Sequence, residues 1–183
     1  MIKLNFTMKF SKTQIKGAYL IELEKIEDER GFFARTWDSK IFKKFGLNND
    51  LKQCSISLTK TKGTIRGMHF QITPHEESKL IRCVQGKVFD VIVDLRSNSK
   101  TFLQWDGLEL SAENNNSVYI PEGVAHGFQT LENNSTMFYQ ISESYFPNSA
   151  KGFRWNDENI GIKWPLSSTI ISEKDQNLPL YSI

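Results

Sequence analysis

From residue 53 onward the apolar positions recur with a period of two, in short runs divided by turn residues. "QCSISLT", "TIRGMHF", "SKLIRCVQG", "KVFDVIVDLR", "TFLQWDGLEL", "NSVYIPEG", "HGFQTLE" and "TMFYQISESYF" each read as a strand. In "KVFDVIVDL", Phe89, Val91, Val93 and Leu95 fall on one face, and Val88, Asp90, Ile92 and Asp94 on the other. Gln85-Gly86 and Asn133-Asn134 are hairpin signals. Many short strands at roughly ten-residue spacing predict an antiparallel sandwich or barrel. Upstream, "GAYLIELEKIEDERGFF" predicts a strand and a charged turn ending at Gly31. "WDSKIFKKFGL" places Ile41, Phe42 and Phe45 at helical spacing, with Gly46 as the stop. The polar "ISEKDQNLPLY" near the C-terminus is expected to be irregular, so that packing onto the barrel positions Asp175. With no repeat, low-complexity tract or flexible linker, residues 1–183 are expected to form one domain, with an N-terminal strand and helix segment and a C-terminal tail.

Composition narrows the class without changing that picture. Of 183 residues, 39% are hydrophobic and 24% charged, as in an ordinary globular protein able to bury a core. No apolar run is long enough for a membrane helix, and "MIKLNFTMKF" lacks the apolar core of a secretory signal. A net charge of +2 gives no reason to expect nucleic acid as a partner. The two cysteines, Cys54 and Cys83, are expected to be reduced and buried in a cytoplasmic protein.

The segment "GTIRGMHFQ" holds the first candidate chemistry. A period of two sends His69 and Gln71 to one face, and Arg66 can reach the rim beside them. His126, in "PEGVAHGF", also follows a glycine-containing turn near a strand boundary. Each histidine alone fits a satisfied core residue; two such segments in one barrel suggest a shared cavity. A transition-metal site would want three or four His, Asp, Glu or Cys ligands, whereas the polar groups beside His69 are Gln71 and the cationic Lys79, so metal is not expected. His75, between Pro74 and two glutamates, reads as a solvated turn residue. Lys79 is either a solvated strand end or a fixed positive charge inside the cavity. In the second case neutral His69 can remove a proton next to a carbonyl while Lys79 stabilises the enolate oxygen. Tyr139, alternating with Phe138 and Gln140 in "MFYQIS", is the candidate second acid, against the plainer reading of a strand tyrosine that packs.

Together "DERGFF", "GTIRGMHFQ", Lys79 ten residues beyond the histidine, "GKVFDVIVDLR", "LSAENNNSVYIPEGVAHGF", "MFYQIS", "WNDENIGIKWP" and "SEKD" resemble the dTDP-4-dehydrorhamnose 3,5-epimerase family over about residues 15 to 180. The resemblance implies a mainly β, cupin-type antiparallel jelly roll with a few short helices, without metal or cofactor. It further implies a homodimer acting on a nucleotide-linked 4-keto-6-deoxy sugar, inverting C3 and C5 in deoxysugar biosynthesis. Carried over by position, His69 resembles the general base, Asp175 the carboxylate that orients it, Lys79 the group beside the carbonyl oxygen and Tyr139 the acid on the opposite face. Arg30 and Arg66 match diphosphate-holding positions, Phe33, Gln53 and Tyr145 positions around the nucleotide base, and His126 and Asp90 polar supporting positions.

The chain departs from the family pattern at Arg35, Ser55 and Ser144, on the nucleotide side of the expected site. Two rival readings stand beside the main one: an epimerase acting at C3 alone or on another nucleotide sugar, and a non-catalytic sugar-binding jelly roll.

Overall fold

The structure, a computed structural model, describes residues 8–182. Two antiparallel sheets face each other. One has six strands in the order β1 (Met8–Lys12), β2 (Tyr19–Leu23), β10 (Ser117–Ile120), β7 (Lys79–Gln85), β12 (Ser135–Ile141) and β5 (Gln53–Thr59). The other has five, in the order β13 (Ala150–Gly152), β6 (Ile65–Gln71), β11 (Val124–Thr130), β8 (Lys87–Asp94) and β9 (Trp105–Ser111). A separate hairpin, β3 (Ile26–Asp28) with β4 (Gly31–Phe33), projects with every residue exposed. The fold is mainly β and antiparallel, as the strand pattern predicts, and its two facing sheets form the jelly roll that the resemblance implies.

Local chemistry sets the boundaries. The turns between β7 and β8 and between β11 and β12 pass through Gly86 at φ +71° and Asn134 at φ +56°, residue types that tolerate the left-handed region. Helix α1 (Ser39–Lys44) starts where the Asp38 carboxylate accepts from the Lys40 and Ile41 N–H groups, and it ends at Phe45 before Gly46. Its buried Phe42 joins Ile21, Leu80 and Tyr119 in covering part of the outer face of the six-stranded sheet. The two faces of β8 enter different cores, as their alternation predicts. Val88 and Ile92 pack between the sheets, whereas Val91 and Val93 pack outside, beneath Phe153 and Ile160 of the C-terminal segment.

The space between the sheets is uneven. At one end Ile81, Val88, Ile92, Leu110, Val118 and Met137 fill it with apolar side chains. At the other end β7, β12 and β11 present Lys79, Tyr139 and His126, and the interior opens into a cavity.

Two expectations are corrected. Cys83 is buried but Cys54 is exposed, because it lies on the outward face of the edge strand β5. The polar C-terminal stretch is not wholly irregular. Ser172 caps a one-turn helix, α2 (Glu173–Gln176), by accepting from the Asp175 N–H.

Candidate active site

The cavity at the open end measures about 640 Å³ and draws on both sheets. Strand β6 supplies Arg66 and His69, and β11 supplies His126, whose Cα is the register partner of His69. The six-stranded sheet supplies Lys79 from β7, Tyr139 from β12 and the inward residues Gln53, Ser55 and Ser57 of β5. Ile170, Ser172, Lys174 and Asp175 close one side. A smaller hollow of about 320 Å³ adjoins it and shares His69, Glu77, Tyr145 and Lys174.

His69 and Asp175, far apart in the chain, meet at 2.7 Å between Nε2 and Oδ1. The carboxylate is almost fully buried, whereas the imidazole is 41% exposed toward the cavity. A carboxylate only accepts, so this contact places the proton on Nε2 and leaves the Nδ1 lone pair free. Burial alone would raise the Asp175 pKa; the hydrogen bonds from His69, the Gly67 N–H and Ser172 outweigh it and hold the carboxyl below its ordinary range. Gly67 is needed there. Its φ is +126°, and a Cβ would stand 2.5 Å from the Gly127 Cα. At this point the β6–β11 register shifts between His126 and Phe128, which lets Arg66 and His69 line one cavity although strict alternation would separate them.

A second imidazole–carboxylate pair lies deeper. His126 Nε2 is 2.8 Å from Asp90 Oδ2, and both side chains are buried. Burial pushes the Asp90 pKa up against the opposing pull of His126 and Lys79, and its Oδ1 has no hydrogen-bond partner among the described residues.

Lys79 is only 8% exposed, and its ammonium meets Glu77 Oε1 at 2.7 Å. The Tyr139 ring stands edge-on to His126, centroids 6.1 Å apart. Burial first, and then the nearby Asp90 charge, push the Tyr139 pKa far above that of a free phenol. Tyr139 lines the cavity, and at neutral pH its hydroxyl is therefore protonated and able to donate.

At the mouth, Arg66 is aimed by hydrogen bonds from Nε to Thr59 Oγ1 (3.0 Å) and from Nη2 to the Leu58 carbonyl (3.3 Å). Gln53 Oε1 accepts from the Tyr145 N–H at 2.9 Å, which brings those two expected residues together. Arg30 and Phe33 are not brought in: they sit on the exposed β3–β4 hairpin, outside the cavity of their own chain, with Arg30 paired to Asp28. Of the departures, Ser55 lines the cavity, Arg35 pairs with Asp38, and the Ser144 carbonyl accepts from Gln71. Gln71 does not line the main cavity; it is buried beneath the 143–146 loop and lines the smaller adjoining hollow together with His69. Among the described residues no three His, Cys, Asp or Glu side chains converge as a metal site would require.

Sequence reasoning missed Glu77, Lys174, Ser57 and Ser172 as cavity residues. For Glu77 there was a signal, since an acid two positions before a lysine on an extended segment shares its face.

A family model described as dTDP-4-dehydrorhamnose 3,5-epimerase matches residues 12–182. The dTDP-4-dehydrorhamnose 3,5-epimerase of Methanothermobacter thermautotrophicus is 44% identical over 172 residues, covering 92% of each chain. Among solved structures, the enzyme of that name from Bacillus anthracis, with TDP and PPi bound, superposes with a TM-score of 0.92 at 41% identity, covering 96% of this chain and 100% of that one. The dTDP-6-deoxy-D-glucose-3,5-epimerase of Legionella pneumophila, in complex with dTDP-4-keto-L-rhamnose, gives a TM-score of 0.88 at 34% identity, covering 97% of this chain and 100% of that one.

Proposed function

The chain belongs to the dTDP-4-dehydrorhamnose 3,5-epimerase family, and from that premise we propose that it converts dTDP-4-dehydro-6-deoxyglucose to dTDP-4-dehydrorhamnose by proton transfer at C3 and C5. The observation that carries the reading is the His69–Asp175 pair, held at 2.7 Å on the wall of a cavity that also receives Lys79 and Tyr139. The C4 carbonyl acidifies the C–H bonds on either side of it. Nδ1 of His69 takes one of these protons, and the resulting imidazolium is stabilised by Asp175. The electron pair moves to the carbonyl oxygen, where the Lys79 ammonium offsets the enolate charge. Tyr139, on the opposite sheet, donates a proton to the other face of the carbon, and the centre is inverted. His69 then releases its proton to solvent and Tyr139 is reprotonated from solvent, after which the same two transfers at the second carbon complete the reaction.

Arg66, Gln53 and Tyr145 hold the nucleotide side of the substrate, the guanidinium fork suiting a diphosphate. The chain acts as a homodimer, and the β3–β4 hairpin of each subunit brings Arg30 and Phe33 to the partner's cavity. Two features support this: Phe32 and Phe33 are 49% and 61% exposed on the hairpin, and the edge strand β5 leaves Ile56 and Leu58 exposed at 70% and 51%. Both cysteines are free, as suits the reducing cytoplasm, where we place the reaction.

The test is incubation with dTDP-4-dehydro-6-deoxyglucose in deuterated water, followed by NMR. Deuterium at both C3 and C5 with formation of the inverted sugar is the expected result. Incorporation at C3 alone would make the protein a monoepimerase, and none at all would leave a binding protein.

A further inference from the structure

The buried ammonium of Lys79 is not held by the substrate pocket alone. Glu77 Oε1 lies 2.7 Å from Lys79 Nζ, and the two side chains are only 11% and 10% exposed, so the pair is nearly dehydrated and its attraction is weakly screened. The other carboxylate oxygen of Glu77 accepts from Gln71 Nε2 at 3.1 Å, which fixes the carboxylate from behind. Gln71 is itself 3% exposed. The same Nε2 is within hydrogen-bond distance of the His75 and Ser144 carbonyls, and Oε1 accepts from the Phe146 N–H at 2.7 Å. Gln71 therefore grips the loop on both sides of Tyr145, whose own N–H donates to Gln53.

From this chain of contacts we infer that Glu77 is a positioning residue for Lys79, aiming its ammonium at the enolate oxygen, and that Gln71 ties that aim to the loop presenting Tyr145. An ammonium has three N–H donors. With one committed to Glu77, the remaining two are directed by a carboxylate that Gln71 fixes from behind, in the connection just before β7. Without Glu77 the flexible four-carbon stem of Lys79 would sample other rotamers, and Asp90, which feels the Lys79 charge, would compete for it. Misplacing a stabilising group by about 1 Å costs about 100-fold in rate. The loss belongs to the transition state, where the charge on oxygen develops, and not to nucleotide binding.

The inference rests on Lys79 serving the carbonyl oxygen, and a double-mutant cycle separates the two claims. Glu77→Ala is expected to lower kcat about 100-fold, with KM and dTDP affinity within about twofold of wild type. Glu77→Gln, which keeps an acceptor for Lys79, recovers most of the lost rate. In a Lys79→Ala background Glu77→Ala causes no further loss, because its effect passes through the lysine. Additive losses in the cycle, or an equal fall in dTDP affinity and kcat, would make Glu77 a merely structural residue and overturn the inference. If Glu77→Ala turns over normally while Lys79→Ala does not, the inference fails and the role of Lys79 stands; if Lys79→Ala is itself fully active, the role of Lys79 fails first. Titration of dTDP onto each variant reports whether its site is folded.

Discussion

At the scale of single residues the proposed chemistry divides between two sheets, and the division can be measured. His69→Asn removes the proposed base and, being shorter than the imidazole, the contact with Asp175 as well. It should abolish deuterium exchange at the sugar yet bind dTDP within about twofold of wild type, since Arg66, Gln53 and Tyr145 are untouched. Asp175→Asn keeps the shape but loses the charge that steadies the imidazolium, so exchange should slow by about 100-fold or more. The tyrosine behaves differently. Its pKa is raised by burial and by the Asp90 charge, so the hydroxyl is protonated at neutral pH, as the proposed acid must be. Tyr139→Phe should therefore continue to exchange substrate protons, with His69 returning deuterium to the face it came from, while forming little inverted product. NMR that follows label and configuration together checks this; inversion at the wild-type rate would assign the acid elsewhere, and complete loss of exchange would place the hydroxyl in enolate formation.

At the scale of elements, much of this arrangement was legible because it is local. The period-two runs, the turns at Gly86 and Asn134 and the α1 helix followed from patterns a few residues long. The β6–β11 bulge was not legible, because it depends on the close approach of Gly67 to Gly127, far away in the chain. Strand β5 misled for a definite reason. Its apolar positions, Cys54, Ile56 and Leu58, point outward, while Gln53, Ser55 and Ser57 face the cavity, the reverse of an ordinary sheet edge. The stretch 101–104 reads as strand but forms a turn, because Thr101 Oγ1 donates to Asp94. Asp94 also accepts from the Arg96 backbone N–H and guanidinium, so one buried carboxylate pins the β8–β9 connection. Burial alone would raise its pKa, but these donors outweigh burial and bring it to about 2, below the ordinary 3.8. A depressed acid stabilises the fold above its unfolded pKa, and that stabilisation is lost as pH falls through the native value. Asp94→Asn should thus cost on the order of 2–3 kcal/mol at pH 7, and the gap from wild type should close as pH drops from about 4 toward 2. Urea titrations at several pH values read this directly, and a gap that stays constant into acid would mean the ion pair contributes nothing.

At the scale of the whole molecule, the proposed homodimer can be tested through the residues that one cavity gathers and those it leaves out. His69, Tyr139, Lys79 and Arg66 line one cavity of a single chain, but Arg30 and Phe33 lie on a hairpin outside it. An arginine and a phenylalanine that serve a nucleotide must touch it, so on the proposed reading the hairpin serves a cavity other than its own. A closed twofold dimer lets each subunit do this for its partner. The consequence is complementation between two defective proteins. His69→Asn destroys the base of its own cavity but leaves its hairpin intact; the pair of changes Arg30→Ala and Phe33→Ala leaves the base intact but removes the hairpin contacts. Each homodimer should be nearly inactive. Mixed, dissociated and reassembled in equal amounts, about half the dimers are heterodimers, each with one cavity that combines an intact His69 with an intact hairpin, so about a quarter of wild-type activity should return. The recovered activity should co-elute with a differentially tagged heterodimer. Full activity in the hairpin variant alone would remove Arg30 and Phe33 from the site. No recovery from a verified heterodimer would mean that each hairpin folds back to its own cavity, and a monomer by light scattering would refute the shared site outright.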